Sequence, residues 1–150
     1  MRIVIQRVSQ AKVDIGNKTT GEIHMGFVVL VGIENDDTIE DAKWLAAKCC
    51  KLRLFEDSEG KMNLNIMEAN GNILVISQFT LHAKTKKGNR PSYIKAADPE
   101  FAEQLYEFFI DELIQILDKP VQSGIFGANM QVHMVNNGPV TILIDTKNKE

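Results

Sequence analysis

The stretch Phe27-Val28-Val29-Leu30-Val31 is an almost unbroken run of β-branched, aromatic and aliphatic residues. Such a run suits a strand that is buried on both faces, as strands in the middle of a sheet are. We therefore predict a central strand within residues 22–33. The rest of the chain is expected to pack around it.

Two shorter strands are predicted before this run. Residues 2–8 and 11–15 each alternate apolar with polar side chains, and Ser9-Gln10 separates them. The next stretch, Gly16-Asn17-Lys18-Thr19-Thr20-Gly21, is typical of a turn. The N-terminal part of the chain is therefore expected to supply three strands.

Two helices are predicted after the central run. The stretch Asn35-Asp36-Asp37-Thr38 supplies residues that favour a helix N-cap, and apolar side chains recur at helical spacing after it, so a helix from about Thr38 to Leu52 is expected. Asn70-Gly71 indicates a tight turn before a buried strand that begins at residue 72. Asp98-Pro99-Glu100 predicts the start of the second helix, which Lys119-Pro120 ends. The expected buried face of the second helix comprises Phe101, Leu105, Phe108, Phe109, Leu113, Ile116 and Leu117.

The last segment carries a polar turn signal, Asn136-Asn137-Gly138-Pro139-Val140-Thr141, between the apolar runs 130–135 and 140–144. Asn and Gly tolerate positive φ, and Pro fixes φ at about −65°, so a rigid hairpin tip between two strands is predicted. A stiff backbone tip suits the recognition of shape. On this short motif alone, a simple reversal of the chain is the commoner function.

This order of elements indicates a mixed α/β (α+β) fold with a barrel-like mixed sheet and two main helices, in a single domain comprising residues 1–150. A Rossmann crossover is not expected, because no glycine-rich loop joins a strand to a helix. The formal net charge of −3 argues against a protein that coats nucleic acid non-specifically. Any contact with RNA is therefore expected on one face only.

Targeting and metal-binding signals are absent from the sequence. The N-terminal apolar run is too short for a signal peptide and no later run could span a bilayer, so a cytoplasmic protein is expected. Cys49 and Cys50 are adjacent, poorly placed to pair with each other, and are expected to be reduced thiols in or near the core. The sequence lacks zinc-binding Cys/His spacing and nucleotide-binding glycine motifs, so no metal or cofactor is expected.

The best candidate for chemistry is Ser77-Gln78-Phe79-Thr80-Leu81, which ends a buried strand. Polar side chains and free backbone N–H groups meet at such a strand end, where functional sites are often built. Thr80 could act as a nucleophile, or its hydroxyl could only satisfy local backbone groups. The N–H groups of Phe79 and Thr80 could instead form an oxyanion hole.

Two weaker signals accompany this stretch. A Ser/His/Asp triad could combine Ser77 with one histidine, but the three histidines lie far apart in sequence, each on or near a predicted strand, where a structural function is commoner. These histidines are His24, His82 and His133. The loop that follows is basic, and such charge runs are usually only solvated. Its cations are Lys84, Lys86, Lys87 and Arg90.

Several segments together resemble the D-aminoacyl-tRNA deacylase family. They are Ser77-Gln78-Phe79-Thr80-Leu81, Gly88-Asn89-Arg90-Pro91-Ser92-Tyr93, Gly127-Ala128-Asn129-Met130 and Asn137-Gly138-Pro139-Val140-Thr141. The likeness covers essentially the whole chain, and the order and spacing of the first and last segments are specific. Asn137 and Asn89 depart from the pattern, because many relatives have Asp and Arg there; this change could soften the charge near the tip and the basic loop.

The resemblance implies the fold of that family and a homodimeric ester hydrolase acting on D-aminoacyl-tRNA and glycyl-tRNA. It implies that Gly138 and Pro139 form a cis peptide that enters the partner's pocket at the dimer interface and contacts the substrate amino group. Arg7 matches the arginine that holds this motif, while Asn137 and Met130 fall among the expected substrate-binding residues.

The same resemblance assigns the catalytic function to Ser77, Gln78, Phe79 and Thr80. Main-chain groups of Phe79 and Thr80 would stabilise the oxyanion, and the 2′-hydroxyl of the terminal ribose would help to activate water. Thr80 as a covalent nucleophile is the alternative. The expected contacts of the basic-loop cations are tRNA phosphates, which position RNA without reading its sequence.

Two other functions remain open at this point. The first is a non-catalytic dimer that binds RNA ends or small molecules on the same fold. The second is a related deacylase whose Gly-Pro peptide is trans and which edits a small L-amino acid. By resemblance, Phe79 favours the D-specific branch over the second alternative.

Overall fold

The computed structural model describes residues 1–149, which form eight strands, two α-helices and one short 3₁₀ turn. The strands are β1 (Arg2–Ile15), β2 (Lys18–Ile23), β3 (Gly26–Gly32), β4 (Phe55–Glu56), β5 (Met62–Leu64), β6 (Asn72–Ser77), β7 (Gln122–Ser123) and β8 (Gln131–Asp145). The helices are α1 (Ile39–Lys51) and α2 (Pro99–Leu117). The 3₁₀ turn is Phe79–His82.

β3 lies in the middle of the main sheet, as the sequence predicted. The strand order is β2-β1-β3-β6-β7, and β8 pairs with β1. β3 is antiparallel to β1 and parallel to β6, so the sheet is mixed. A Cβ at Gly21 would lie 3.0 Å from the Ser123 carbonyl oxygen, so β2 closely approaches β7 and the sheet curls towards a barrel.

β1 is a single long strand, whereas two strands were predicted. It continues through Ser9-Gln10 because β8 pairs with it on both sides of that dipeptide, with Gln10 opposite Val135. The first half of β1 also pairs with β3 and the second half with β2. The predicted turn before β2 is correspondingly shorter, since β2 already begins at Lys18.

The two helices begin where the sequence predicted. The Thr38 side chain caps α1, and the Asp41 carboxylate accepts a hydrogen bond from the Thr38 N–H at 2.9 Å, which completes a capping box. In α2 the buried stripe differs in part from the prediction, because Phe101 is exposed while Tyr106 is buried and donates a 2.9 Å hydrogen bond to the Val75 carbonyl. The buried residues of α2 are Ala102, Leu105, Tyr106, Phe109 and Leu113.

Both helices lie in connections between parallel strands. α1 lies between β3 and β6, and α2 lies between β6 and β7. These crossovers were not predicted from the sequence. The sequence has no glycine-rich loop of the kind that joins a strand to a helix in a dinucleotide-binding fold. Neither helix is long and apolar enough to cross a membrane.

The predicted hairpin tip is instead a bulge within β8. Asn136 lies opposite Val8 and Thr141 lies opposite Gln6, so residues 137–140 all face the single position of Arg7 on β1. We call residues 137–140 the bulge segment. The chain does not reverse here because both flanking runs pair with the same neighbour in the same direction.

The cysteines are buried free thiols, as expected. Burial raises the pKa of Cys49 well above its ordinary value and that of Cys50 to about 11. Both thiols are therefore protonated at neutral pH and behave as apolar core side chains on the buried face of α1.

Candidate active site

A cavity of about 520 Å³ opens at the carboxyl end of β6, next to α2. Most of its wall is apolar, and polar groups enter it from the end of β6 and from the loop before β8. Ser77, Gln78, Phe79 and Met130 line it, so four of the residues predicted to act in catalysis or binding share one cavity. The carboxyl ends of parallel strands are a common position for such sites.

The 3₁₀ turn begins immediately after the last ladder bond of β6. The Gln78 N–H donates to the Val31 carbonyl at 2.6 Å, and the chain then leaves the sheet at Phe79. The N–H groups of Phe79 and Thr80 open the turn, where no intrahelical acceptor precedes them. Because Phe79 lines the cavity and is exposed, this end of the turn can present hydrogen-bond donors to a bound ester.

The Thr80 hydroxyl accepts a hydrogen bond from the Gln78 side-chain amide. Thr80 is not among the residues that line the cavity. A threonine nucleophile needs a neighbouring base, but the contact that the structure shows at this hydroxyl comes from an amide donor. The local geometry therefore favours a structural function for the Thr80 hydroxyl, while the backbone N–H groups of the turn remain the candidates for chemistry.

The histidines do not converge on Ser77. His82 is buried, and its Nδ1 lies 3.4 Å from a Glu34 carboxylate oxygen. His133 Nε2 lies 3.1 Å from a carboxylate oxygen of Asp14, on the β1–β8 ribbon. His24 is exposed between β2 and β3. The structure thus does not assemble the Ser/His/Asp triad that the sequence left possible.

A buried arginine anchors the bulge segment. Arg7 Nε donates to the Asn137 carbonyl at 2.9 Å, and its Nη1 donates to the Leu54 carbonyl at 2.6 Å. From the other side, Asn136 Nδ2 donates to the Arg7 carbonyl at 2.8 Å. The Gly138–Pro139 peptide is cis, as the family resemblance implied. The base of the segment is therefore fixed while Asn137, Gly138 and Pro139 are exposed.

The exposed end of the bulge segment does not line the cavity of this chain. Asn137, Gly138 and Pro139 are not among the residues that line it. Within the chain, the structure therefore separates the predicted substrate-binding tip from the predicted catalytic turn.

Gly124 contacts Met130, and this contact was not predicted from the sequence. A Cβ on Gly124 would overlap the sulfur of Met130, so a larger residue there would displace the Met130 side chain, which lines the cavity. Gly124 lies just after β7, and its N–H donates to the Val75 carbonyl at 3.2 Å. No local pattern around Gly124 indicates that it contacts Met130.

The basic loop projects beside the cavity. Two backbone hydrogen bonds between Lys84 and Ser92, of 2.8 and 3.0 Å, close its base. Just beyond, the Tyr93 ring meets the Phe79 ring edge-on, with centroids 5.1 Å apart. All four cations predicted to contact tRNA are exposed on this loop.

One group of acidic residues could in principle hold a metal ion. Within residues 1–149, carboxylate oxygens of Glu34, Asp36 and Asp37 lie within 4.8 Å of one another. The Lys147 ammonium contacts Asp36 and lies 3.3 Å from Asp37 and 3.7 Å from Glu34, so it occupies the position that a cation would take. The hydrogen bond from Lys147 lowers the pKa of Asp36. The group fits an internal salt-bridge cluster better than a metal site.

Comparison with known proteins identifies the family of this chain. Residues 4–145 match the sequence model of the family described as D-Tyr-tRNA(Tyr) deacylase. The chain is 59% identical to a D-aminoacyl-tRNA deacylase of Bacteroides fragilis and 57% identical to one of Flavobacterium psychrophilum, in each case over 150 residues that cover 100% of both chains. It also resembles the solved structure titled c-Myc DNA Unwinding Element Binding Protein, with a TM-score of 0.91 and 38% identity over 97% of this chain and 99% of that one. The chain therefore belongs to the D-Tyr-tRNA(Tyr) deacylase family and is an enzyme, a hydrolase that acts on aminoacyl-tRNA.

Proposed function

We propose that this enzyme is a cytoplasmic homodimer that proofreads chirality. It hydrolyses the ester between a D-amino acid and the 3′ end of tRNA, and also acts on glycyl-tRNA, releasing the free amino acid and tRNA. The observation that carries this proposal is the bulge segment, which is anchored by buried Arg7 but exposed and separate from the cavity of its own subunit. A tip that is stiff at its base and exposed at its end is suited to entering a neighbour's cavity.

The bulge segment supports selection by exclusion. D- and L-aminoacyl esters carry the same chemical groups, so attraction alone discriminates poorly between them, whereas a rigid backbone wall excludes one enantiomer by collision. The backbone at Gly138 and Pro139 would contact the substrate amino group and leave no room for an L side chain. Glycine has no side chain to exclude, so glycyl-tRNA is accepted as well.

The edge of the sheet supports a dimer. β8 is a long strand whose pairing in the described chain is with β1. Its exposed residues include the large apolar side chains of Val135 and Leu143. An unprotected strand of this kind is a template for association with another chain, so a second copy would cover it.

The 3₁₀ turn supports a hydrolysis that depends little on side chains. Water attacks the ester carbonyl, and the N–H groups of Phe79 and Thr80 stabilise the oxyanion that forms. The 2′-hydroxyl of the terminal ribose assists the water, and the 3′-hydroxyl of the tRNA leaves. A tRNA that ends in 2′-deoxyadenosine is therefore expected to be turned over poorly.

A deacylation assay tests the function directly. The enzyme is incubated with D-Tyr-tRNA, L-Tyr-tRNA and Gly-tRNA, and the released amino acid is measured. We expect hydrolysis of the first and third substrates and resistance of the second. Release from none of them would favour a non-catalytic binding protein, and a preference for a small L-aminoacyl ester would favour the related L-editing enzyme.

Mixed dimers test whether the tip acts on the partner. A Cβ at Gly138 would lie 2.9 Å from the side-chain oxygen of Asn136, so Gly138→Val displaces the tip, and homodimers of this variant should also hydrolyse L-Tyr-tRNA. Homodimers of Phe79→Pro lack one oxyanion donor and should be nearly inactive. A mixed dimer contains one Gly138→Val subunit, whose turn is intact, and one Phe79→Pro subunit, whose tip is intact. In this dimer the intact turn receives the intact tip only if the tip acts across the interface. The mixture should then regain D-specificity, whereas continued L-hydrolysis would place the tip in its own subunit.

A further inference from the structure

Arg2 joins three distant parts of the chain at the end of the 3₁₀ turn. Its Nη1 donates to the Leu81 carbonyl at 2.6 Å, and its Nε and Nη2 donate to one carboxylate oxygen of Asp145 at 3.0 and 2.7 Å. Leu81 belongs to the turn, Arg2 begins β1 and Asp145 ends β8. One guanidinium therefore ties the turn to both strands of the β1–β8 ribbon.

The contact falls at the end of the turn opposite to its N–H groups. The carbonyls of Gln78 and Thr80 accept bonds from the N–H groups of Leu81 and Ala83, at 3.2 and 3.1 Å. Leu81 is one of the last residues of the turn, where helical carbonyls lack intrahelical donors, and Arg2 supplies the donor. A four-residue turn is short, so a support that fixes the Leu81 carbonyl near its end also restricts the direction of its first N–H groups.

The ion pair is not needed to hold the strands together. Arg2 and Asp145 are already paired across the β1–β8 ladder, and the next residue, Thr146, donates its N–H to the Met1 carbonyl at 2.9 Å. The bond to Leu81 adds nothing to that ladder. Asp145 instead accepts hydrogen bonds from Nε and Nη2 of Arg2, which orients the guanidinium so that Nη1 points at the Leu81 carbonyl of the turn.

The Asp145 carboxylate of this support is ionised at neutral pH. Burial raises the pKa of Asp145, but the Lys147 N–H and the Arg2 guanidinium lower it by more, so its pKa lies below the ordinary value. The Arg2 side chain is 32% exposed and the Asp145 side chain 12%. The pair is thus partly shielded from solvent while it remains beside the turn.

We propose that Arg2 is a positioning residue for the deacylation reaction, holding the 3₁₀ turn so that the N–H groups of Phe79 and Thr80 point at the ester. Asp145 orients the Arg2 guanidinium for this purpose. The inference rests on the proposed hydrolysis at this turn. Arg2 itself does not touch the substrate.

Two measurements on Arg2→Gln test the inference. The first is the single-turnover rate with saturating D-Tyr-tRNA, which we expect to fall about tenfold or more, because small misplacements of catalytic groups have large effects on rate. The concentration that gives half of the maximal single-turnover rate should stay within about twofold of the wild-type value, since the groups that bind the substrate are unchanged. Arg2→Lys keeps a donor and should recover part of the rate, and Asp145→Asn should lower the rate less than Arg2→Gln.

The second measurement is amide hydrogen exchange, which does not depend on activity. The Leu81 and Ala83 amides should exchange several-fold faster in Arg2→Gln, because local opening of the turn becomes easier, while those of β3 should not change. Arg53→Gln is the matched control. It removes the same charge from an exposed arginine that contacts Asn63 at 3.3 Å, and both readouts should match the wild type.

The outcomes separate the two proposals. If the wild type released no D-tyrosine, the proposed function would fail, and the exchange data alone would decide whether Arg2 supports the turn. If exchange quickened but the rate per folded enzyme did not fall, Arg2 would be structural only. Unchanged exchange would also refute the inference, as would a loss confined to half-saturation.

Discussion

The 3₁₀ turn and the bulge segment are held in the same way but face different surroundings. Each has a backbone carbonyl bonded by an arginine of β1, Leu81 by Arg2 at 2.6 Å and Asn137 by Arg7 at 2.9 Å. The turn contributes Phe79 to a cavity of this chain, whereas Asn137, Gly138 and Pro139 of the bulge segment are exposed beside a buried anchor, Arg7. The 3₁₀ turn therefore has its cavity in the same chain, whereas the proposed binding position of the bulge segment is the cavity of a second chain.

The largest expected effect comes from removing a backbone donor of the turn. Phe79→Pro eliminates one N–H at the first position of a helical turn, where proline is tolerated. We expect the single-turnover rate to fall on the order of 100- to 1000-fold, as for loss of an oxyanion donor. Phe79→Ala is the control, because it removes the ring and keeps the N–H. Equal losses in the two variants would show that the ring matters, and not the backbone donor.

The next largest effect concerns the anchor of the bulge segment. Arg7→Met leaves the Asn137 and Leu54 carbonyls without their donor, so we expect discrimination between D- and L-Tyr-tRNA to fall roughly 30-fold. The free energy of unfolding should also fall by about 2–4 kcal/mol, because the buried Leu54 carbonyl and the partly buried Asn137 carbonyl lose a charged partner.

Glu56→Gln is the control for the anchor. The Glu56 carboxylate lies 3.9 Å from Arg7 and its side chain is 60% exposed, so its loss should change the free energy of unfolding by less than about 1 kcal/mol. Discrimination that survives Arg7→Met in a folded enzyme would mean that the tip does not depend on this anchor.

A smaller effect is expected from the basic loop beside the turn. Replacing Lys84, Lys86, Lys87 and Arg90 by glutamine should raise KM for D-Tyr-tRNA about tenfold and weaken its dependence on salt, because phosphate contacts release counterions. kcat should change little. The control replaces Lys18, Lys43, Lys48 and Lys51, which are also exposed. The same KM and salt dependence in both quadruple variants would leave the loop as a solvated surface.

The smallest effect distinguishes the backbone of the turn from its hydroxyl. Thr80→Ala removes the acceptor of the Gln78 amide and should lower kcat by no more than about threefold, since no covalent step on Thr80 is needed. The measurement is steady-state release of D-tyrosine, with circular dichroism to confirm the fold. Near-complete inactivity in a folded variant would restore Thr80 as the nucleophile.

Local patterns predicted the elements whose cause is local. The apolar run in β3, the cap at Thr38 and the proline that opens α2 each act through neighbouring residues, and each was read correctly. The bulge segment was misread because a hairpin and a bulge use the same turn-forming residues. Only the pairing of both flanks with β1 decides between them.

The sequence predicted part of the cavity lining but not the contacts that hold it. The polar stretch at the end of β6 contributes Ser77, Gln78 and Phe79 to the cavity, but nothing near Arg2 in sequence indicates a contact with Leu81, 79 positions away. The separation of the bulge segment from the cavity likewise depends on how the sheet curls. Contacts between distant segments follow from the assembled fold and leave no periodic signal along the chain.

β1 also fixes the distance between the two arginines that hold the 3₁₀ turn and the bulge segment. Arg2 and Arg7 are five positions apart on this strand, a span of roughly 17 Å along it. An odd spacing directs alternate side chains to opposite faces of a sheet. While β1 keeps its ladders, the spacing between the two arginine anchors is set by covalent geometry and cannot be shortened by movements of side chains. In the proposed homodimer, this fixed separation between the 3₁₀ turn and the bulge segment of one chain would set the offset between subunits at which the bulge segment of one chain reaches the turn of the other.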